Sequence, residues 1–212
     1  MKRALLKERA DLSETMKVTC LIALFPFLLG AYFGGCEGDG AIFSAILCAF
    51  SLVPLHIMDG EFTITPEYLR FTETLPLSVR QKVYSKQLYR LFYRLAFFVV
   101  GVLGHLGGLL GNETFDGGRM LGFACLLGLF LLLSGAVSMP LTAKRENVTD
   151  TTGRAAFLVL SLTGSIFAFT FFLKGSILLP PPYWCILLAV GAELYFIAAE
   201  WAVSLWEERP LP

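Results

Sequence analysis

PEYLRFTETLPLSVRQKVYSKQL, residues 66–88, lies within the longest polar interval of an otherwise apolar chain, the interval from Asp59 to Arg94. Thr65 can cap free backbone amides and Pro66 tolerates the first helical position, so the pair predicts a short amphipathic helix over Pro66 to Thr74. Leu75-Pro76 ends it, because the residue before a proline is pushed out of helical geometry. A second start follows at once. Ser78-Val79-Arg80-Gln81 has capping-box spacing, in which a hydroxyl and an amide side chain each satisfy the other residue's backbone N–H. From there a helix can continue through Tyr89 into the next apolar segment, which makes the unit a short helix, a sharp corner and a capped helix entering a membrane.

The membrane follows from the rest of the chain. Of its 212 residues 56% are hydrophobic, against roughly 45–50% in soluble domains even with glycine counted. Windows without charge run from Val18 to Cys36, Gly40 to Met58, Leu95 to Asn112, Met120 to Ala143 and Ala155 to Leu173. A sixth, Tyr183 to Trp206, is broken by Glu193 and Glu200 alone. Each approaches or exceeds the ~20 residues that a helix needs to cross hydrocarbon. These runs lack the alternation of barrel strands, and only helices and closed barrels satisfy every backbone amide in lipid. The expected fold is therefore all-α and polytopic. It is one domain over 1–212 with spans at about 18–36, 40–58, 90–112, 120–141, 155–173 and 183–206, since no interval between spans could build a separate core.

Basic residues orient these spans. Lys2, Arg3, Lys7, Arg9 and Lys17 precede the first; Arg70, Arg80, Lys82, Lys86, Arg90 and Arg94 lie between the second and third. Lys144, Arg145 and Arg154 follow the fourth, and Arg209 is in the tail, leaving only Arg119 and Lys174 for the other side. By the positive-inside rule the larger set faces the cytoplasm, with both termini inside. A bacterial inner or plasma membrane is the expected location. The acidic and basic totals, 17 each, cancel, so net charge points to no partner and no nucleic acid is expected.

Tyr68-Leu69-Arg70, Leu75-Pro76-Leu77-Ser78, Arg80, Val83 and Lys86 together resemble the loop after the second span in ABC-2 type transporter permeases. The resemblance implies that the helix at about 66–74 is a coupling helix seated against a separate cytoplasmic ATPase subunit. Glu67, Tyr68, Leu69, Arg70, Phe71, Glu73, Leu75, Pro76, Ser78 and Arg80 would then serve that coupling. It also implies an interfacial elbow helix at 1–16 and a second permease subunit, in a homo- or heterodimer, lining the translocation path. Ser138 to Arg154 is similar to the second cytoplasmic loop of the same family, with Met139-Pro140-Leu141 at its corner. The chain has no GxxxxGK(S/T) loop, so ATP and Mg²⁺ would act through the partner and nothing is bound directly. Relatives with such short outer loops export peptides, toxins, antibiotics or lipidic molecules.

Candidate chemistry inside the spans is sparse. Glu193 and Glu200, seven residues apart, share nearly one helical face. An acid in lipid costs about 2.5–3.5 kcal/mol on insertion scales and so marks a pathway or a partner. Glu193, Glu200 and His105 are thus candidates for a translocation path, against the plainer reading that the acids pair internally or that Glu200 reaches the headgroups. Gly104/Gly108 and Gly107/Gly111 have GxxxG spacing, which suits close helix packing within the subunit. His56 and His105 lie on different spans, no ligand cluster has metal spacing, and the five cysteines are scattered. No constellation of an integral membrane enzyme appears. The alternative function is a substrate-binding six-helix subunit of a vitamin uptake system, for which the Leu-Pro-Leu-Ser loop has no use.

Overall fold

A computed structural model describes residues 14–36, 41–59, 77–111, 116–143, 159–166 and 180–207. Among these, the regular elements are helices: α1 (Glu14–Gly35), α2 (Ala41–Ser51), α3 (Val53–Asp59), α4 (Val79–Gly111), α5 (Gly117–Ala143) and α6 (Pro181–Glu207). A further helical stretch covers 159–166. Residues 1–13 of the expected elbow helix, the coupling helix at about 66–74 and most of the expected fifth span lie outside the described residues.

Among the described residues, four helices are long and apolar enough to cross a membrane: α1 over Lys17–Gly35, α4 throughout, α5 over Met120–Met139 and α6 over Pro182–Glu207. The second expected span is instead a shorter apolar helix, Phe43–Ile57, broken near its middle. Pro54 explains the break: it has no N–H to return to the carbonyl four residues back, and it restricts Val53 before it. The Leu52 N–H turns to Ala49 O at 3.2 Å, and regular bonding resumes when His56 N–H reaches Leu52 O at 3.0 Å. Pro26 sits inside α1 without ending it, as neighbouring helices allow in a membrane.

The helices lean on α4. Its buried residues run from Val83 through Gln87, Arg90, Arg94 and Phe97 to Gly101, Gly104 and Gly108, in steps of four and three, the spacing of a helix with one continuous inner seam. Toward Gly108 the seam is small and apolar; toward Val83 it is polar. One core gathers around Phe27 and Phe97, whose rings meet edge to face with centroids 5.2 Å apart, with Leu52, Leu55 and Leu127. A second gathers Val83, Met139, Tyr195, Ala199 and Ala202 between α4, α5 and α6.

Lipid is as apolar as leucine, so helix association rests on close contact rather than on escape from water. Two glycines carry that contact at the α1–α4 crossing. A Cβ on Gly104 would stand 2.7 Å from the Leu28 carbonyl oxygen, and one on Gly108 would collide with that of Tyr32. Gly107 and Gly111 face only the Tyr32 side chain, at 3.4 and 3.2 Å. The GxxxG pair that makes backbone contact is therefore Gly104/Gly108.

These contacts also set direction. Leu28 meets Gly104 and Tyr32 meets Gly108, so α1 and α4 run the same way. Trp184 meets Gly122 and Tyr195 meets Gly135, so α5 and α6 run parallel to each other. Leu127 against Gly101 and Arg94 against Gly135 set α5 antiparallel to α4. The chain joining Ala143 to Pro181 therefore starts and finishes at opposite ends of the bundle.

Candidate functional site

The start of α4 is where the polar residues converge. Ser78 N–H donates to Gln81 Oε1 at 3.2 Å, and Gln81 N–H donates back to Ser78 Oγ at 3.2 Å. This is the reciprocal box expected from the sequence; it satisfies two amides that would otherwise lack partners. One turn on, Arg80 Nη2 donates to Glu200 Oε1 at 2.5 Å, and the Tyr84 hydroxyl donates to the same oxygen at 2.5 Å. The Arg80 guanidinium also stands over the Tyr84 ring, 5.8 Å from its centroid. Arg80 is 66% exposed and the Glu200 side chain 49%. Such open pairs add little stability. What they supply is register: the first two turns of α4 are tied to one residue of α6.

Deeper along α4 a second polar group is enclosed. Arg94, 2% exposed, donates from Nη1 to the Tyr195 hydroxyl oxygen at 3.4 Å, and its guanidinium stands 5.8 Å from that ring's centroid. The Tyr195 hydroxyl donates in turn toward Gln87, at 3.3 Å from Oε1 and 3.5 Å from the main-chain oxygen. Space for the guanidinium comes from Gly135 on α5, where a Cβ would lie 2.7 Å from Arg94 Cζ and 2.8 Å from Tyr195 Cε2. Ser138 Oγ donates to the Gly135 carbonyl at 2.8 Å. Arg90, one turn before Arg94, is 3% exposed. Three helices thus share one polar joint in which a cation, a phenol and an amide are linked in a chain.

Of the residues singled out from the sequence, Ser78 and Arg80 stand at this joint's entrance, whereas Glu67, Tyr68, Leu69, Arg70, Phe71, Glu73, Leu75 and Pro76 lie outside the described residues. Glu200 is bound to Arg80 and Tyr84. Glu193 is exposed on the same face of α6 and has neither a hydrogen bond nor an ion pair among the described residues. His105 is elsewhere, in the α1–α4–α5 core, its ring stacked on Phe123 with centroids 4.0 Å apart. His105 and Glu193 are therefore not brought together. His56 Nε2 lies 3.1 Å from Ser165 Oγ, which itself donates to Ser161 O at 2.7 Å. The serine proton is thereby committed, so His56 Nε2 is the donor, and the stretch 159–166 is fastened to α3.

Sequence reasoning passed over Tyr84, Gln87, Gly135 and Tyr195, and used Arg90 and Arg94 only as inner-side charges that orient the spans. One signal was present: Lys82, Lys86, Arg90 and Arg94 recur every fourth residue, which places cations along one flank of a helix that must pack. Among the described residues no three His, Cys, Asp or Glu side chains group as metal ligands. Compared with protein-family models, curated proteins and solved structures, the chain matches none.

Proposed function

We propose that the chain is the membrane-spanning permease subunit of an ATP-driven exporter of the ABC-2 type. It forms the translocation path with a second permease subunit and is driven by a separate cytoplasmic ATPase that binds ATP and Mg²⁺. In this reading there are six spans: α1, α2 with α3, α4, α5, the stretch through 155–173, and α6, with both termini in the cytoplasm. The parallel course of α5 and α6 supports it, because the chain between Ala143 and Pro181 has to recross the length of the bundle.

One observation carries the functional reading. Ser78, which follows Leu75-Pro76-Leu77 in the sequence, caps a single unbroken helix, Val79–Gly111. That helix is bonded to α6 at its first turns through Glu200 and again through Arg94, Tyr195 and Gln87. A displacement delivered to the loop before Ser78 would move α4 and α6 as one body. ATP-driven closure of the ATPase pair supplies that displacement, and alternating access follows as the spans tilt. Glu67, Arg70 and Glu73 would form the polar docking contacts while Tyr68, Leu69 and Phe71 fill a groove on the ATPase.

The test is co-purification. Arg70→Glu and Glu73→Arg should leave the chain folded, with unchanged thermal unfolding, yet sharply reduce both recovery of a Walker-type ATPase and its stimulation by the permease. Full recovery and full stimulation in both variants would refute the docking assignment.

A further inference from the structure

The end of the α5–α6 pair remote from the polar joint brings two thiols together. Four glycines set the register there. A Cβ on Gly122 would meet the Trp184 indole at 3.5 Å, one on Gly128 the Leu188 side chain at 3.0 Å and one on Gly135 the Tyr195 ring at 2.8 Å, while one on Gly191 would reach Leu129 at 2.5 Å. In these contacts each α6 residue follows its α5 partner by 60 to 62 positions, and Cys185 follows Cys125 by 60. The two cysteines therefore stand at one depth, between the Trp184 and Leu188 contacts. Their side chains interact directly. Cys125 is 7% exposed, and Cys185 is open at the edge of the contact.

Two neighbouring thiols have a definite chemistry. A disulfide spans β-carbons about 4 Å apart, and small residues at a helix contact let the backbones approach that closely. Both sulfurs are free thiols. Among the described residues no third His, Cys, Asp or Glu groups with them, so the pair suits sulfur–sulfur chemistry rather than a four-ligand metal cage. Cys185 lies four residues from the start of α6, about 6 Å at 1.5 Å per residue. That is close to the membrane surface, with Cys125 behind it, so a water-borne reagent meets Cys185 first.

We propose that Cys125 and Cys185 are a redox-active pair that closes into a disulfide bridging α5 and α6. The oxidant is itself a disulfide, RSSR, either small like oxidised glutathione or carried by a thiol oxidoreductase. The Cys185 thiol gives up its proton, and its thiolate attacks one sulfur of RSSR. The RS⁻ that leaves takes up a proton. Cys125, losing its own proton, then attacks the Cys185 sulfur of the mixed disulfide and expels the second RS⁻, which is protonated in turn. Two protein thiols and one RSSR thus give one protein disulfide and two RSH, with two electrons passing to the reagent; an excess of thiol reverses both steps. Reduced, α5 and α6 are fastened at the joint of Gly135, Tyr195 and Arg94. Oxidised, they are fastened a second time, ten residues or about 15 Å from Tyr195, and can tilt only as one body. The orientation used in the permease reading puts this end outside, in the compartment where disulfides persist. Closure of the bridge rests on the α5–α6 packing alone.

The experiment treats the wild-type full chain, in detergent and without any ATPase, with oxidised glutathione, then alkylates the remaining thiols and maps the peptides by mass spectrometry. Two of the five cysteines should be lost to alkylation, in one peptide pair joined through Cys125 and Cys185, on a chain that still migrates as a single copy. Bridged chains should outnumber glutathione adducts on Cys185 by about tenfold or more, because a thiol held alongside acts at a high effective concentration. Dithiothreitol should restore all five thiols. In Cys125→Ser the reaction should stop at a glutathione adduct on Cys185, and in Cys185→Ser the enclosed Cys125 should react about tenfold more slowly than Cys185 does in wild type. A wild-type chain that stops at the adduct, stays unmodified, bridges to a second chain, or pairs Cys125 with Cys20, Cys36 or Cys48 would overturn the proposal. In liposomes, closure by glutathione added only on the side of the chain ends would support the bridge and refute the orientation in the permease reading. An ATPase that co-purifies with a chain forming no bridge would leave that reading standing without the pair.

Discussion

Replacing Gly135 with alanine asks whether the Arg94–Tyr195 joint depends on a single absent methyl group. The new Cβ would lie 2.7 Å from Arg94 Cζ, 2.8 Å from Arg94 Nη2 and 2.8 Å from Tyr195 Cε2. A guanidinium can usually swing aside. Here it is 2% exposed and the ring beside it 6%, so both must be displaced within a closed space. Overpacking of this kind costs about 1–3 kcal/mol. Losing the Arg94–Tyr195 hydrogen bond adds about 0.5–1.5 kcal/mol. Together these give about 2–4 kcal/mol, roughly a thirtyfold to several-hundredfold shift toward the unfolded form. Gly122→Ala is the internal control, because its Cβ would meet Trp184 no closer than 3.5 Å, an ordinary contact. Both variants would be followed by thermal unfolding in one detergent. Gly135→Ala should unfold well below wild type and Gly122→Ala should not. Equal midpoints for the two would refute the reasoning, since the substitution is chemically the same and only the neighbours differ.

Two further outcomes follow from the geometry. Gly108→Ile should separate α1 from α4 and lower the unfolding midpoint strongly, whereas Gly107→Ala, with Tyr32 at 3.4 Å, should be tolerated; the same unfolding measurement decides, and a tolerated Gly108→Ile would sink the α1–α4 seam. If the chain is the permease proposed above, Arg80→Glu or Glu200→Arg alone should depress its stimulation of the partner's ATP hydrolysis, and the exchanged pair Arg80→Glu/Glu200→Arg should recover much of it. If both single variants are as active as wild type, the tie between α4 and α6 has no part in coupling.

What could be read in the chain beforehand was what its neighbours in sequence decide. The Ser78/Gln81 box needs only residues three apart, and the structure forms it as expected. The continuous helix from there to Gly111 needed only the absence of a breaker. The GxxxG spacing announced a close approach, yet nothing in it said that Leu28 and Tyr32 would be the backbone approached. The joint was illegible for a related reason: Arg94 meets a tyrosine 101 residues away and Arg80 a glutamate 120 residues away. Charge counting used Arg90 and Arg94 only to orient the spans, as cations at the inner edge of the third, because a cation deeper in a span is expected to be rare; a phenol, an amide and a glycine make room for Arg94. The break at Leu52 was hidden for the opposite reason, since hydropathy sums across Val53-Pro54 without registering that proline has no N–H to donate.

The distance along the chain between Arg94 and Tyr195 also orders events during synthesis. At about 5–20 residues per second, the guanidinium leaves the ribosome about 5–20 s before the phenol that will receive it. Over that interval the hydrogen bond between Arg94 and Tyr195 cannot form. Settling of the fourth described helix is therefore timed by the arrival of the last, and a nascent chain stopped short of Pro181 would hold an arginine with no phenol to take its hydrogen bond.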